Sequence, residues 1–139
     1  MRHPFFASSR TLVFAHRGGG ALAPENTIAA FDNGLALGAD GLELDVHLSR
    51  DGAVVVHHDR LLNRTTPLAG PIAERTVDEL RRVDIPTLAE VLERYRDTRI
   101  IVEMKLNRAD GITRFRDGLS LPLASRRAAP ASQKIAVRP

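Results

Sequence analysis

The sequence predicts a parallel α/β fold, either an open sheet or a barrel. Short runs of apolar and β-branched residues alternate with segments whose apolar residues recur at helical spacing, the pattern of repeated βα units. Two of the helical segments begin with Thr-x-x-Glu, a signature of helix amino termini. The chain has 139 residues, of which 43% are hydrophobic and 27% charged. It is therefore long enough to bury a core and is not disordered as a whole.

The first βα unit is predicted near the amino terminus. The apolar run 11–15 predicts a buried strand that ends shortly before three consecutive glycines. Apolar residues at helical spacing predict a helix over 26–37, with Asn26 or Thr27 as its N-cap and Gly38 as its terminator.

The central region predicts two more strands. Residues 41–47 and 53–58 are rich in Leu and Val, and the turn sequence Arg-Asp-Gly at 50–52 separates them. We expect both to belong to the parallel sheet.

Two helices and a fourth strand complete the predicted pattern. Thr76 with Glu79, and Thr87 with Glu90, form capping boxes that precede apolar residues at helical spacing. The β-branched run 99–104 then predicts the fourth strand. The periodicity fades after this strand, so we expect a folded part over 11–105 and a poorly ordered tail over 106–139.

The positive charge of the chain is concentrated in this tail. The net charge is +3, but residues 106–139 hold seven basic residues against two acidic ones, so the body of the chain is mildly acidic. The tail has a single aromatic residue, Phe115, and so little to stack on bases, which argues against nucleic acid as a partner.

Several classes of protein are excluded by composition. The chain has no cysteine, so it forms no disulfide and has no thiolate zinc site and no cysteine nucleophile. It contains no apolar run long enough to span a membrane and no secretory signal pattern at its start. We therefore expect a cytoplasmic location.

Carboxylates collect at the carboxyl ends of the predicted strands. Side chains alternate faces along a strand, so Glu43 and Asp45 share one face, and Glu103 lies near the end of the fourth strand. A single carboxylate in such a place is more often solvated than a ligand. Three carboxylates together repel unless a cation neutralises them, and oxygen ligands favour Mg²⁺ or Ca²⁺. The set predicts one divalent cation.

Basic and titratable side chains are predicted to reach the same edge. Arg17 and Lys105 are candidate phosphate ligands. His16 and His58 offer a proton donor and a proton acceptor near neutral pH. Together with the cation, these groups indicate cleavage of a phosphate ester. His57 alternates away from His58, and we expect it to pack toward the helices or solvent.

The same residues belong to a series of short motifs. In order they are His16-Arg17-Gly18, Pro24-Glu25-Asn26-Thr27, Glu43-Leu44-Asp45-Val46, His58-Asp59, Asn63-Arg64-Thr65-Thr66, Pro86-Thr87-Leu88 and Glu103-Met104-Lys105. This series resembles the glycerophosphodiester phosphodiesterase family over about residues 13–105. The resemblance implies a TIM (β/α)8 barrel that hydrolyses glycerophosphodiesters to glycerol 3-phosphate and an alcohol. It also implies that the substrate's own 2-hydroxyl attacks phosphorus, giving a cyclic phosphate that water opens.

The resemblance also implies roles for individual residues. His16 and His58 would be the general acid and base, and one Mg²⁺ or Ca²⁺ would be held by Glu43, Asp45 and Glu103.

Four further residues have implied roles around these groups. Arg17 and Lys105 would bind the phosphate. Glu25 would support the site by hydrogen bonding, and Asp59 would support His58.

The chain departs from the family in length. A complete barrel has eight strands and typically about 250 residues, whereas the pattern here gives an incomplete barrel with about four βα units. We expect open edges at the first and fourth strands, and hence self-association. We also expect the gene to be truncated or frame-shifted, with the tail translated out of frame.

Three functions stay open from the sequence. The first is a metal-dependent glycerophosphodiester phosphodiesterase. The second is an inactive fragment that retains a metal and phosphate site, and the third is a related phospholipase D-type lipid phosphodiesterase.

Overall fold

A computed structural model describes Phe5, residues 7–105 and the backbone of the strand Gln133–Val137. The strands are β1 (Phe14–His16), β2 (Gly41–Leu48), β3 (Val54–Val56), β4 (Arg99–Met104) and β5 (Gln133–Val137). The helices are α1 (Ile28–Ala36), α2 (Val77–Arg81) and α3 (Leu88–Arg94), and a 3-10 turn covers Ile72–Glu74.

The strands form one mixed sheet around β2. Its order is β1-β2-β4-β5, with β3 also paired to β2. β1 and β4 both run parallel to β2, and helices connect these three strands along the chain. The predicted parallel α/β arrangement is therefore confirmed for β1, β2 and β4, and the fold is that of an incomplete barrel.

The third predicted strand is the exception, because β3 runs antiparallel to β2. The tight turn over 49–53 is closed by hydrogen bonds such as Ser49 N–H to Ala53 O at 2.9 Å. A parallel connection needs a crossover of a dozen or more residues, so this turn permits only a hairpin. The strand is also shorter than expected, since it ends at Val56.

The helix boundaries follow their capping residues. Thr27 is the N-cap of α1, and its hydroxyl accepts a hydrogen bond from Ala30 N–H at 3.2 Å. Both predicted capping boxes are present, at Thr76 and Thr87. They satisfy backbone N–H groups that a helix start leaves without partners.

The main core lies between the sheet and the helices. Alternate residues of β2 and β4 are fully buried, among them Leu42, Leu44 and Val102, and they share one core with residues of α1 and α3 such as Phe31. The opposite face of β2 carries Glu43, Asp45 and His47. Because side chains alternate along β2, burial of its apolar residues against the helices turns its polar residues to the opposite face.

The predicted tail falls mostly outside the described residues. Its exception is β5, whose backbone pairs antiparallel with β4. The expectation of an open edge at β4 is therefore wrong, because a later segment of the same chain covers it. Among the described strands β1 is at the other end of the sheet order. No helix of the described residues is long and apolar enough to cross a bilayer.

Candidate active site

Three carboxylates meet at the polar face of the sheet. The register of β2 with β4 places Asp45 directly beside Glu103, and Glu43 is two residues before Asp45 on the same face. One oxygen of each carboxylate lies within 4.8 Å of the others. Asp45 and Glu43 are only 1% and 6% exposed, so water does little to screen their mutual repulsion.

Two cations lie against this carboxylate cluster. Arg17 Nε is 3.3 Å from Asp45 Oδ2, and Lys105 Nζ is 3.3 Å from Asp45 Oδ1. Lys105 Nζ also donates to Glu103 Oε1 at 2.6 Å. Burial lowers the pKa of Lys105, but the two carboxylates outweigh it and the net shift is upward. The described part of the cluster thus combines carboxylate oxygens, the ligands that a divalent cation takes, with two basic side chains.

The loop after β1 aims Arg17 into the site. Arg17 has a φ of 53°, in the left-handed region that side chains rarely adopt. Two backbone hydrogen bonds hold it there: its N–H donates to Glu43 O at 2.8 Å, and its carbonyl accepts from Asn26 N–H at 2.9 Å.

Asn26 is a site residue that the sequence did not reveal. It was a candidate helix cap, but Thr27 is the cap, and Asn26 is instead buried with a φ of 58°. Its side-chain amide donates to Asp45 Oδ2 at 3.0 Å, and its oxygen accepts from Asp45 N–H at 3.4 Å. Its place in the motif Pro24-Glu25-Asn26-Thr27 is the one sequence feature that could have indicated a role in the site. The contact with Asp45 forms only when the chain folds.

The two candidate catalytic histidines differ in environment. His16 is paired with Glu43 in the β1–β2 register, with Nε2 3.8 Å from Glu43 Oε2, and its side chain is 70% exposed. His58 is 28% exposed and its Nδ1 lies 2.6 Å from Asp59 Oδ1. Because a carboxylate only accepts, Nδ1 carries the proton and Nε2 is left for proton transfer.

The hairpin, not a parallel strand end, delivers His58 to this edge. β3 runs back along β2, so that His57 N–H donates to Asp45 O at 2.9 Å. His47 Nε2 lies 3.0 Å from His58 O, and burial lowers the pKa of His47. Because a carbonyl oxygen only accepts, Nε2 of His47 carries a proton and donates to it, which holds the backbone at His58. His57 is 4% exposed, so of the two environments expected for it, solvent is ruled out.

Arg64 connects the two sides of the site. Its guanidinium donates to both oxygens of Asp59, at 2.6 and 3.1 Å, and to both oxygens of Glu25, at 3.2 and 2.5 Å. These bonds lower the pKa of both carboxyl groups. Glu25 Oε1 is also 3.3 Å from Arg17 Nη1. The sequence placed Arg64 in a motif without giving it a role.

A separate cavity of about 680 Å³ opens between α1 and the α2–α3 connection. Glu25, Asn26 and His57 line it, together with residues 81–86. Among its described lining residues there is no member of the carboxylate cluster. The carboxylate cluster lies at the carboxyl edge of the strands, and the cavity shares only Glu25 and Asn26 with the side chains that contact it or its cations.

Comparisons with known proteins show a family likeness for this chain. Residues 16–128 match the family model of the glycerophosphoryl diester phosphodiesterase family. A glycerophosphodiester phosphodiesterase of Caldanaerobacter subterraneus is 43% identical over 110 residues, which cover 70% of this chain and 45% of that protein.

Solved structures show the same likeness. A glycerophosphodiester phosphodiesterase of Thermotoga maritima superposes with a TM-score of 0.67 at 39% identity, over 78% of this chain and 51% of that one. A phosphodiesterase of Oleispira antarctica in complex with the product sn-glycerol-3-phosphate gives 0.64 at 32% identity, over 79% and 52%.

The chain spans less than half the length of the Caldanaerobacter relative and about half of the two solved structures. The family model nevertheless covers most of the chain, and it begins at His16 of the site described above. The chain belongs to the glycerophosphoryl diester phosphodiesterase family.

Proposed function

We propose that this chain provides the cation- and phosphate-binding part of a hydrolase that cleaves glycerophosphodiesters to glycerol 3-phosphate and an alcohol. One observation carries the proposal. Three carboxylates whose oxygens lie within 4.8 Å share an edge with two cations that contact Asp45. An anionic diester needs such a mixed site, because its phosphate must approach both a metal ion and basic side chains.

A divalent cation fits the carboxylate cluster. All three donors are carboxylate oxygens, the ligand type that hard ions prefer, so we assign the site to Mg²⁺ or Ca²⁺. When bound, the ion would supply Lewis-acid stabilisation of charge on the phosphate oxygens. Glu43, Asp45 and Glu103 would hold it, and Asn26 would orient Asp45 through its hydrogen bonds.

The basic side chains would orient the phosphate. Arg17 already has two carboxylate contacts, at Asp45 and Glu25, which fix the direction of its guanidinium. Lys105 is held by Glu103 and Asp45. Both cations are thus positioned before substrate arrives, which lowers the cost of ordering them on binding.

The two histidines would move the protons. One takes the proton of the attacking 2-hydroxyl as its oxygen bonds to phosphorus, and the other gives a proton to the departing alcohol as its P–O bond breaks. Asp59 keeps the proton of His58 on Nδ1, so that Nε2 is the atom that exchanges with substrate. Water then opens the cyclic phosphate to glycerol 3-phosphate.

A second candidate is binding of cation and phosphate without turnover. It is favoured by the exposure of His16, whose side chain is 70% accessible, because catalytic acids and bases work best where water is excluded.

The two candidates are separated by an assay on the purified chain. Glycerophosphocholine is incubated with Mg²⁺, with Ca²⁺ or with a chelator, and release of glycerol 3-phosphate is followed. We expect chelator-sensitive turnover that is lost in His16→Ala and His58→Ala and retained in Arg82→Ala, an exposed residue at the end of α2. Saturable metal binding without turnover would select the second candidate.

Metal binding has its own measurement. Titration calorimetry with Mg²⁺ or Ca²⁺ should show one site per chain, and Asp45→Asn should weaken it by at least tenfold because a buried ligand loses its charge. Equal binding by the wild-type chain and Asp45→Asn would contradict the assignment.

Self-association through the edge of β1 remains a prediction. Sedimentation velocity at several protein concentrations tests it, and a concentration-independent monomer would contradict it.

A further inference from the structure

Arg64 joins the loop before α1 to the loop after β3. Among the described residues it is the one side chain that forms an ion pair with a carboxylate in each of these two loops. Its Nε and Nη2 donate to Asp59, and its Nη1 and Nη2 donate to Glu25. Each carboxylate is bound by both of its oxygens. A guanidinium can bind two carboxylates in this way because its donors lie in one plane along two edges, whereas a lysine ammonium has no such fork.

The two carboxylates contact different groups of the candidate site. Asp59 binds Nδ1 of His58 at 2.6 Å. Glu25 lies 3.3 Å from Arg17 Nη1, and Arg17 Nε lies 3.3 Å from Asp45. Charges therefore alternate in sign from Asp59 through Arg64, Glu25 and Arg17 to Asp45.

We propose that Arg64 is a positioning residue: by holding Asp59 and Glu25 together it fixes the tautomer and orientation of His58 and, through Glu25, the direction of Arg17. This inference rests on the proposed function, in which His58 transfers a proton and Arg17 binds phosphate. Arg64 itself touches neither group that would react.

A purely structural role explains the contact less well. The Arg64 side chain is 49% exposed, and exposed ion pairs add little to folding stability because water already solvates both charges. The same is true of Arg94, which donates to both oxygens of Asp32 in the helix layer and is 52% exposed. Arg94 is therefore a matched control: a two-bond arginine–carboxylate pair outside the site.

The test measures the tautomer of His58 by NMR of the imidazole nitrogens, in the wild-type chain, Arg64→Gln and Arg94→Gln. In the neutral wild-type ring we expect the proton on Nδ1. In Arg64→Gln the carboxylate of Asp59 is no longer held beside His58, so the hydrogen bond between Asp59 and Nδ1 should weaken. The ratio of the Nδ1–H to the Nε2–H form should then fall about fivefold, the effect of losing that one hydrogen bond. Arg94→Gln should leave the ratio unchanged. An unchanged ratio in Arg64→Gln would overturn the proposal.

Backbone amide signals show whether Arg64→Gln unfolds the loop after β3 or only releases Asp59 and Glu25. Leu62 N–H donates to Gly70 O at 3.0 Å, and Gly70 N–H donates to the Asn63 side chain at 3.1 Å. Both amide signals should persist in Arg64→Gln. If they do not, Arg64→Lys is used instead, since it keeps the charge and loses only the fork. A wild-type ratio in Arg64→Lys would then overturn the proposal.

Turnover gives a second readout that separates this proposal from the proposed function. If the chain hydrolyses glycerophosphocholine, Arg64→Gln should lower kcat by about 10–100-fold, as for residues that orient groups of an active site. Asp59→Asn should lower it similarly, and the double variant should lose little more, because both changes break one connection. Additive losses would contradict the shared role. If the wild-type chain itself shows no turnover, the proposed hydrolysis fails, and the tautomer ratio of His58 still decides the role of Arg64.

Discussion

The glycine that follows Arg17 is predicted to be essential for docking the site loop on α1. Gly18 has a φ of 84°, and a Cβ built on it would lie 2.6 Å from the backbone carbon of Ala30 and 2.8 Å from the nitrogen of Phe31. Both residues are fully buried in α1, so the helix has no room to retreat. Gly18→Ala should therefore destabilise the fold.

The size of the effect follows from two contributions. A left-handed backbone costs a side-chain-bearing residue about 1–2 kcal/mol, and overpacking a tight contact costs about 1–3 kcal/mol. Gly18→Ala should lose about 2–5 kcal/mol in the free energy of unfolding. The next residue provides the control, since Gly19 has a φ of 85° and no atom within 4 Å of its built Cβ. Gly19→Ala should lose only the backbone contribution, about 1–2 kcal/mol.

The measurement is urea unfolding followed by circular dichroism for the wild-type chain and both variants. We expect the midpoint to fall further for Gly18→Ala than for Gly19→Ala, with unchanged slopes. Equal losses in the two variants would refute the reasoning, because the contact with α1 would then contribute nothing. In Gly18→Ala we also expect weaker phosphate binding, since the neighbouring Arg17 moves with the loop.

Three other predictions concern the supports of the site. Tyr95→Phe should lose about 1 kcal/mol in thermal unfolding, because the Tyr95 hydroxyl donates to Asp32 at 2.8 Å and joins α3 to α1; an unchanged melting temperature would show that water replaces this bond. Thr87→Ala should lose about 1–2 kcal/mol in urea unfolding, since it removes the buried capping box of α3, and a neutral result would contradict that value. Arg64 holds the pKa of Asp59 below its usual range, so the small stabilisation that this half-exposed pair contributes is present above about pH 4 and fades as pH falls further. The free energy of unfolding should thus drop less between pH 5 and pH 3 in Asp59→Asn than in the wild-type chain, and identical slopes would refute the linkage.

Local signals predicted most of the regular structure correctly. The capping boxes at Thr76 and Thr87 fixed two helix starts, because the hydrogen bonds that define them are made within four residues. Strand β4 was predicted with its observed bounds, since six residues rich in Ile and Val favour a strand wherever they pack. The direction of β3 was wrong, although the short turn before it already demanded a hairpin.

The candidate site was likewise predicted in part. Alternation along β2 predicted that Glu43 and Asp45 share a face, and the structure places Glu103 beside them. The site contacts of Asn26, His47 and Arg64 could not be inferred from the sequence, because Asp45, His58 and Glu25, which they contact, lie 11 to 39 residues away.

Residue types and their spacing by themselves determined the βα pattern, the set of carboxylates that cluster on the sheet and the family to which this chain belongs. These features depend on local hydrogen bonds, strand alternation and the chemistry of single side chains, all of which can be inferred without knowing the fold. Only the tertiary structure decided which residue supports which. The links from Asp45 to Asn26 and from Asp59 through Arg64 to Glu25 join segments 5 to 39 residues apart. Such contacts are set by strand register and by the hairpin, which brings separate segments within 3.5 Å, and sequence spacing does not encode that distance.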